Sequence, residues 1–222
     1  RLLKAHLRQA PTDVAAIRML AELAVRLDRL EDARNLLERC LELCPDFREA
    51  RQHYALVLHR LNEPAATLAE LDRLLRTAPD DPAARNLKAA VLCRTGEYDT
   101  AIAIYAKLLD EHPEQAQVWL SCGHALKTAG HAERSIAAYR RCIDLDPDFG
   151  EAWWSLANLK TFRFDDAQIE TMRGALARAD LADEHRLHFE FALAKALEDR
   201  AEYADSFAHY ASGNALRLAR IP

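Results

Sequence analysis

Three arginines, Arg26, Arg60 and Arg94, recur 34 residues apart. A guanidinium is a planar fork of donors that fits a carboxylate, so such a ladder could hold an extended acidic peptide or a chain end. The same side chains could instead pair with carboxylates such as Glu22 and Glu49, or stand in solvent, where ion pairs contribute little. Cys40 and Cys44 lie one helical turn apart, but a zinc site asks for four ligands and no histidine pair sits at ligand spacing near them. His185 and His188 likewise have no Cys or carboxylate companion of defined ligand geometry. Asp165-Asp166 could be read as an acid/base pair, yet adjacent carboxylates at a helix start satisfy free N–H groups and the positive helix end. The sequence holds no glycine-rich phosphate loop, HExxH, GxSxG or EF-hand loop. The expectation is binding rather than catalysis, with neither metal nor cofactor.

Composition narrows the setting. The 222 residues carry Lys+Arg 30 against Asp+Glu 35, a net charge of −5, which argues against nucleic acid or an anionic membrane as partner. Half of the residues are hydrophobic, but no uninterrupted apolar run approaches the roughly 18–20 residues of a membrane span. Arg1 opens inside a helical pattern with no charged-apolar-small leader, which reads as a cut rather than a natural start. Six glycines, an Ala/Leu-rich interior and few β-branched runs favour an all-α chain. Five cysteines at apolar helical positions, without a CxxC pair, fit reduced core residues and a cytoplasmic location.

The elements that must position these side chains follow from a period. Pro11, Pro45, Pro79, Pro113 and Pro147 fall 34 residues apart. Counting units from three residues after each proline gives starts at Val14, Arg48, Pro82, Ala116 and Gly150. Small residues (Ala21, Ala55, Ala89, Gly123, Ala157) occupy the eighth place, where two helices approach closely. Ala33, Thr67, Ala101 and Ser135 hold the twentieth, with Ile169 in the fifth unit, and Leu37, Leu71, Tyr105 and Tyr139 plug the twenty-fourth. Ile17, Trp119 and Trp153 share the fourth place, from which Arg51 and Arg85 depart. Breaks at Asp28-Arg29, Leu61-Asn62, Gly96 and Gly130 end each first helix, and the closing proline ends the second.

This grammar resembles the tetratricopeptide repeat. The resemblance implies an all-α, right-handed superhelical solenoid of antiparallel helix pairs, with the first helices lining a concave groove. Through the family's groove places it implies that Arg18, Arg26, Gln52, His59, Arg60, Asn86, Arg94, His124, Lys127, Trp154, Asn158, Phe162 and Phe191 face a ligand, a locally basic groove on an acidic chain. Trp154, Phe162 and Phe191 would there form an exposed apolar pocket, or else repair packing where the repeat is irregular. The chaperone-tail clamp of the family is not matched, because its paired lysines are absent.

Residues 1–13 read as the second helix of a truncated leading repeat and 14–149 as four regular units. Residues 150–186 form an irregular fifth, with Thr161 to Asp166 in place of the glycine turn, and 187–222 a sixth unit with a terminal helix. Asp183 is expected to cap the sixth unit's first helix. The stretches 153–164, 191–199 and 209–217 further resemble the end of the repeat region of bacterial tetratricopeptide-repeat sulfotransferases. That implies a non-catalytic region of a larger enzyme, recruiting an acceptor protein or docking a C-terminal catalytic domain. The competing expectation is a self-associating scaffold, a homo-dimer for example, joined through apolar terminal faces.

Overall fold

The computed structural model describes residues 2–219. Arg1 and residues 220–222, on which the reading of the two ends rests, lie outside the described residues, as does the side chain of Lys4. Among the described residues every regular element is an α-helix, as the all-α expectation has it. The chain divides into two compact units, residues 1–108 and 109–222. The first holds α1 (Leu2–Gln9), α2 (Val14–Arg26), α3 (Leu30–Leu43), α4 (Arg48–Arg60), α5 (Pro64–Thr77), α6 (Pro82–Thr95) and most of α7 (Tyr98–Glu111). The second holds α8 (Ala116–Thr128), α9 (Ala132–Leu145), α10 (Gly150–Ala157), α11 (Asp166–Ala177), α12 (Asp183–Glu198) and α13 (Tyr203–Leu218). No described helix is long and apolar enough to cross a membrane.

The first helices start at Val14, Arg48, Pro82, Ala116 and Gly150, the positions counted from the prolines. Asp13 and Asp81 start α2 and α6 by accepting from the N–H groups of Ala16 (3.0 Å) and Ala84 (2.9 Å). One device ends them. Arg29, Glu63, Glu97 and His131 donate their N–H to the carbonyls of Ala24, Leu58, Leu92 and Leu126 at 2.9–3.0 Å, closing the helix around a left-handed residue. That residue is Asp28 (φ 55°), Asn62 (63°), Gly96 (90°) and Gly130 (86°) in turn. The same turn recurs after α12, where Glu202 donates to Leu197 around Ala201 at φ 60°. Alanine has no side-chain device to favour this conformation. Ala201→Gly is therefore expected to raise stability by about 0.5–1 kcal/mol, read as a higher urea midpoint.

Within the first unit the core is built by consecutive hairpins: Ala21, Ala33, Leu37 and Cys40 are sealed between α2 and α3, and Ala55, Leu71 and Leu74 between α4 and α5. Arg51 and Arg85, the departures at the fourth place, have a shared chemistry. Trp119 and Trp153 donate their indole N–H to the carbonyls of Pro113 (2.9 Å) and Pro147 (3.0 Å). Arg51 donates to the carbonyl of Pro45 in the same way, and Arg85 to that of Asp80 at 3.2 Å. The place selects a donor that reaches the carbonyls of the preceding turn, and Ile17 alone cannot serve it. Arg51 also pairs with buried Glu70, which Arg73 holds from the other side at 2.5 Å.

The second unit accommodates the irregular repeat. Gly123 lies under Tyr139, whose ring would stand 2.5 Å from a Cβ at that position. α10 stops early, and the extended stretch after it folds Phe162 and Phe164 back onto Trp153 (Trp153–Phe164 5.9 Å, Phe162–Phe164 5.0 Å between ring centres). Asp165 caps α11 in a reciprocal capping box with Gln168. α12 then packs against α10, α11 and α13, with Phe189 and Leu193 fully buried. It begins four residues before Leu187, and Asp183 is its first residue rather than its cap; Ala182 holds the cap position without a side-chain bond. The connection before it is pinned: Arg178 grips Asp148 at 2.8 and 2.9 Å, and Arg186 donates to the Leu176 carbonyl at 2.7 Å. None of the five cysteines forms a disulfide; Cys40, Cys122 and Cys142 are buried, and burial pushes the Cys142 thiol up to about 12.

Candidate binding faces

In the first unit the arginine ladder is tied into the turns. Arg60 reaches back to the Asp28 carboxylate at 2.8 Å, and Arg94 reaches back to the Asn62 side chain and lies 3.3 Å from His59 Nδ1. Each clasps the left-handed residue that ends the preceding first helix. Arg26 pairs loosely with Glu22 at 3.2 Å, and Arg18 approaches the same carboxylate at 3.6 Å. The alternative in which these arginines pair with nearby carboxylates thus describes Arg26, on Glu22, and Arg60, whose partner is the turn residue Asp28. Arg94 finds an amide and an imidazole instead of a carboxylate. Burial, with Arg94 alongside, holds His59 below the usual imidazole range. Gln52 and Asn86 are half-buried at the fifth place of α4 and α6, and the Asn86 Oδ1 is buried without a hydrogen-bond partner.

In the second unit the expected residues separate. Phe162 is 6% exposed, covered by the Arg140 guanidinium at 5.3 Å from its ring centre, and belongs to the core around Trp153. The expectation that it faces a groove is corrected: once α10 ends early, its extra aromatics repair the packing. Asn158 ends α10 and donates its side-chain amide to the Trp154 carbonyl at 3.1 Å, so its donor serves the helix end. Lys127 is exposed near the end of α8. His124 places Nδ1 at 2.9 Å from the Tyr139 hydroxyl and Nε2 at 3.4 Å from Glu151. That contact, with His188 and His185 nearby, holds the Glu151 carboxyl below its usual range, while burial lowers His188. Among the described residues no three His, Cys, Asp or Glu side chains gather as a metal-binding group.

Trp154 and Phe191 do meet, 5.4 Å between ring centres, and Tyr210 extends the row at 6.2 Å from Phe191. With Leu187, His188, Asn214 and Arg217 they line a cleft of about 570 Å³. The contribution of α13 was hidden in the sequence because second helices are expected to supply packing. Its signal is Tyr210, at the place where Tyr105 and Tyr139 are fully buried, here left half-buried.

Helical hairpins repeated at a fixed period, closed by one kind of turn and carrying polar and aromatic side chains on their first helices, define a helical-repeat protein. The profile of the tetratricopeptide repeat matches residues 28–91 and 94–159, more than half of the chain, and the chain belongs to that family. No curated protein matches it in sequence. Among solved structures it is similar to MamA (41-end) from Desulfovibrio magneticus RS-1, with 15% identity and a TM-score of 0.60 over 94% of this chain and 97% of that one. It is also similar to YrrB, described as a TPR protein with an unusual peptide-binding site, with 13% identity and a TM-score of 0.61 over 94% and 97%. At these identities the likeness concerns the fold alone.

Proposed function

We propose that the chain is a protein-binding scaffold that holds a segment of a partner polypeptide against first helices of its repeats, α4 and α6 in the first unit. The observation that carries this reading is the Asn86 Oδ1, buried on α6 without a partner, where Gln52 holds the corresponding place of α4. Buried amide oxygens are nearly always paired, and rotation of the half-buried Asn86 side chain outward would let it accept the N–H of a peptide laid along α4 and α6. Selection of displayed peptides on the immobilised chain tests the reading. Enriched peptides are expected to bind a Gln52→Ala, Asn86→Ala variant at least about tenfold more weakly, as losing more than about 1.4 kcal/mol implies. Failure to enrich any peptide, or unchanged affinity in a folded variant, rejects it.

A finer reading makes the array the accessory region of a sulfotransferase, supported by the resemblance of residues 153–217. The resemblance would put the docking surface on Phe162, Phe164 and the last helix; with both phenylalanines buried, α13 is left for it, where Tyr203 and Phe207 are 67% and 74% exposed. The alternative of self-association draws on an apolar cleft of about 790 Å³ in the first unit, lined by Leu2, Leu3, Leu20, Leu23, Leu27 and Leu36 among others. Light scattering over a concentration series, with Leu23→Lys as the control, separates the two: a wild-type chain that stays monomeric at high concentration counts against self-association.

A further inference from the structure

We infer that the cleft between α10, α12 and α13 is a binding site for an internal polypeptide segment that carries a large apolar side chain beside an acidic one. The inference deepens the protein-binding reading by naming where, and to what chemistry, the second unit binds.

The apolar half of the site is built and held. A volume of about 570 Å³ suits one large side chain with its flanking backbone. Trp154, Phe191 and Tyr210 form a continuous row of tilted rings, open to solvent on one side. Gly213 seats the middle ring, because a Cβ there would lie 3.2 Å from the Phe191 ring carbons. The Tyr210 hydroxyl donates to Glu198 at 3.0 Å, fixing the third ring from behind. Aromatics held in place this way bind with little ordering cost.

The polar half selects a carboxylate. Arg217 lies on the last turn of α13 at the edge of the cleft and has no carboxylate partner among the described residues. The nearby acidic groups are engaged elsewhere: Glu190 with His209 at 2.6 Å, and Glu198 with Tyr210 and with Lys195 at 3.5 Å. A guanidinium takes a carboxylate in a bidentate pair. Asn214, one helical turn before Arg217, offers a donor and an acceptor together, the complement of a peptide group. A chain that continues past its acidic residue meets both, whereas a chain ending at a carboxylate leaves Asn214 without its match.

The test follows the Trp154 indole N–H resonance, identified by its loss in Trp154→Phe, as the full chain is titrated with an acetylated and amidated peptide, Gly-Ser-Phe-Asp-Ser-Gly. A saturable shift is expected, weakened at least about fivefold when Phe is replaced by Ala, when Asp is replaced by Asn, or when the protein carries Arg217→Gln. Arg217 is exposed, so this variant keeps its helix content, checked by circular dichroism. Equal binding of the Asp and Asn peptides, or binding unchanged by Arg217→Gln, overturns the site. A peptide ending in Phe with a free carboxylate that binds more tightly than the amidated acidic one overturns the internal-segment occupant. Peptides selected on the whole array that bind without moving the Trp154 signal refute the cleft and leave the broader protein-binding reading standing.

Discussion

Glu70→Ala is expected to lower the free energy of unfolding by about 3 kcal/mol, and adding Arg51→Trp to recover most of that loss. Glu70 is buried and held by Arg51 and Arg73. Removing a buried carboxylate strands its partner, which costs about 3–5 kcal/mol where the partner cannot reach water. Arg73 can turn to solvent, but Arg51 is only 16% exposed and would keep a single carbonyl acceptor, at Pro45. The double variant copies the fourth repeat, where Trp119 donates to the Pro113 carbonyl and Ala138 stands at the place of Glu70. Replacing a whole buried ion pair by packed apolar groups is often neutral. Chemical unfolding followed by circular dichroism checks both expectations. A double variant no better than Glu70→Ala would show that the tryptophan indole and the guanidinium are not interchangeable there.

Gly150→Ala is the second large effect, expected to destabilise by about 3 kcal/mol, at the upper end of overpacked sites. Its Cβ would lie 2.4 Å from the His185 carbonyl oxygen, so a backbone and not a side-chain tip must move. The shift would part α10 from α12, whose aromatics Trp153 and Phe189 stand 5.9 Å apart across that contact. Gly174, exposed on α11 with nothing within 4 Å of a Cβ, is the matched control. There alanine is expected to stabilise by about 0.5–1 kcal/mol through helix propensity. Thermal unfolding of the two variants should therefore move in opposite directions, and a destabilising Gly174→Ala would remove the contrast.

Much of the helical framework could be read from the spacing of five prolines, because a closing proline and a small-residue contact act locally and leave their marks in order. Helix starts at Val14, Arg48, Pro82, Ala116 and Gly150 were legible for that reason. Less legible were features decided by contacts distant in sequence. Arg60 and Arg94 occupy a family groove place, yet their partners, Asp28 and Asn62, lie 32 residues back, so no local pattern foretells that they clasp turns. Phe162 moved inward because α10 ends early, a consequence of the missing glycine turn that only packing around Trp153 resolves. Asp183 was expected outside the helix it begins, because a carboxylate near a helix start can stand at the cap or in the first turn and the local sequence suits both. The cleft had a similar history: Trp154 and Phe191 were expected on one face, but Asn214 and Arg217 come from a helix whose inward side promised only packing.

The turn clasps of the first unit have a dynamic consequence. In a repeat array each hairpin touches mainly its neighbours, and opening can begin at any of them. Arg60 and Arg94 fasten the end of one first helix to the turn before it, so fraying of the last turn of α2 is weakly coupled to α4, and that of α4 to α6, by up to about 1 kcal/mol per exposed contact. Removing either arginine would then speed amide exchange at the helix end it reaches back to by up to about fivefold, as a loss of up to about 1 kcal/mol implies, and leave exchange in the core unchanged.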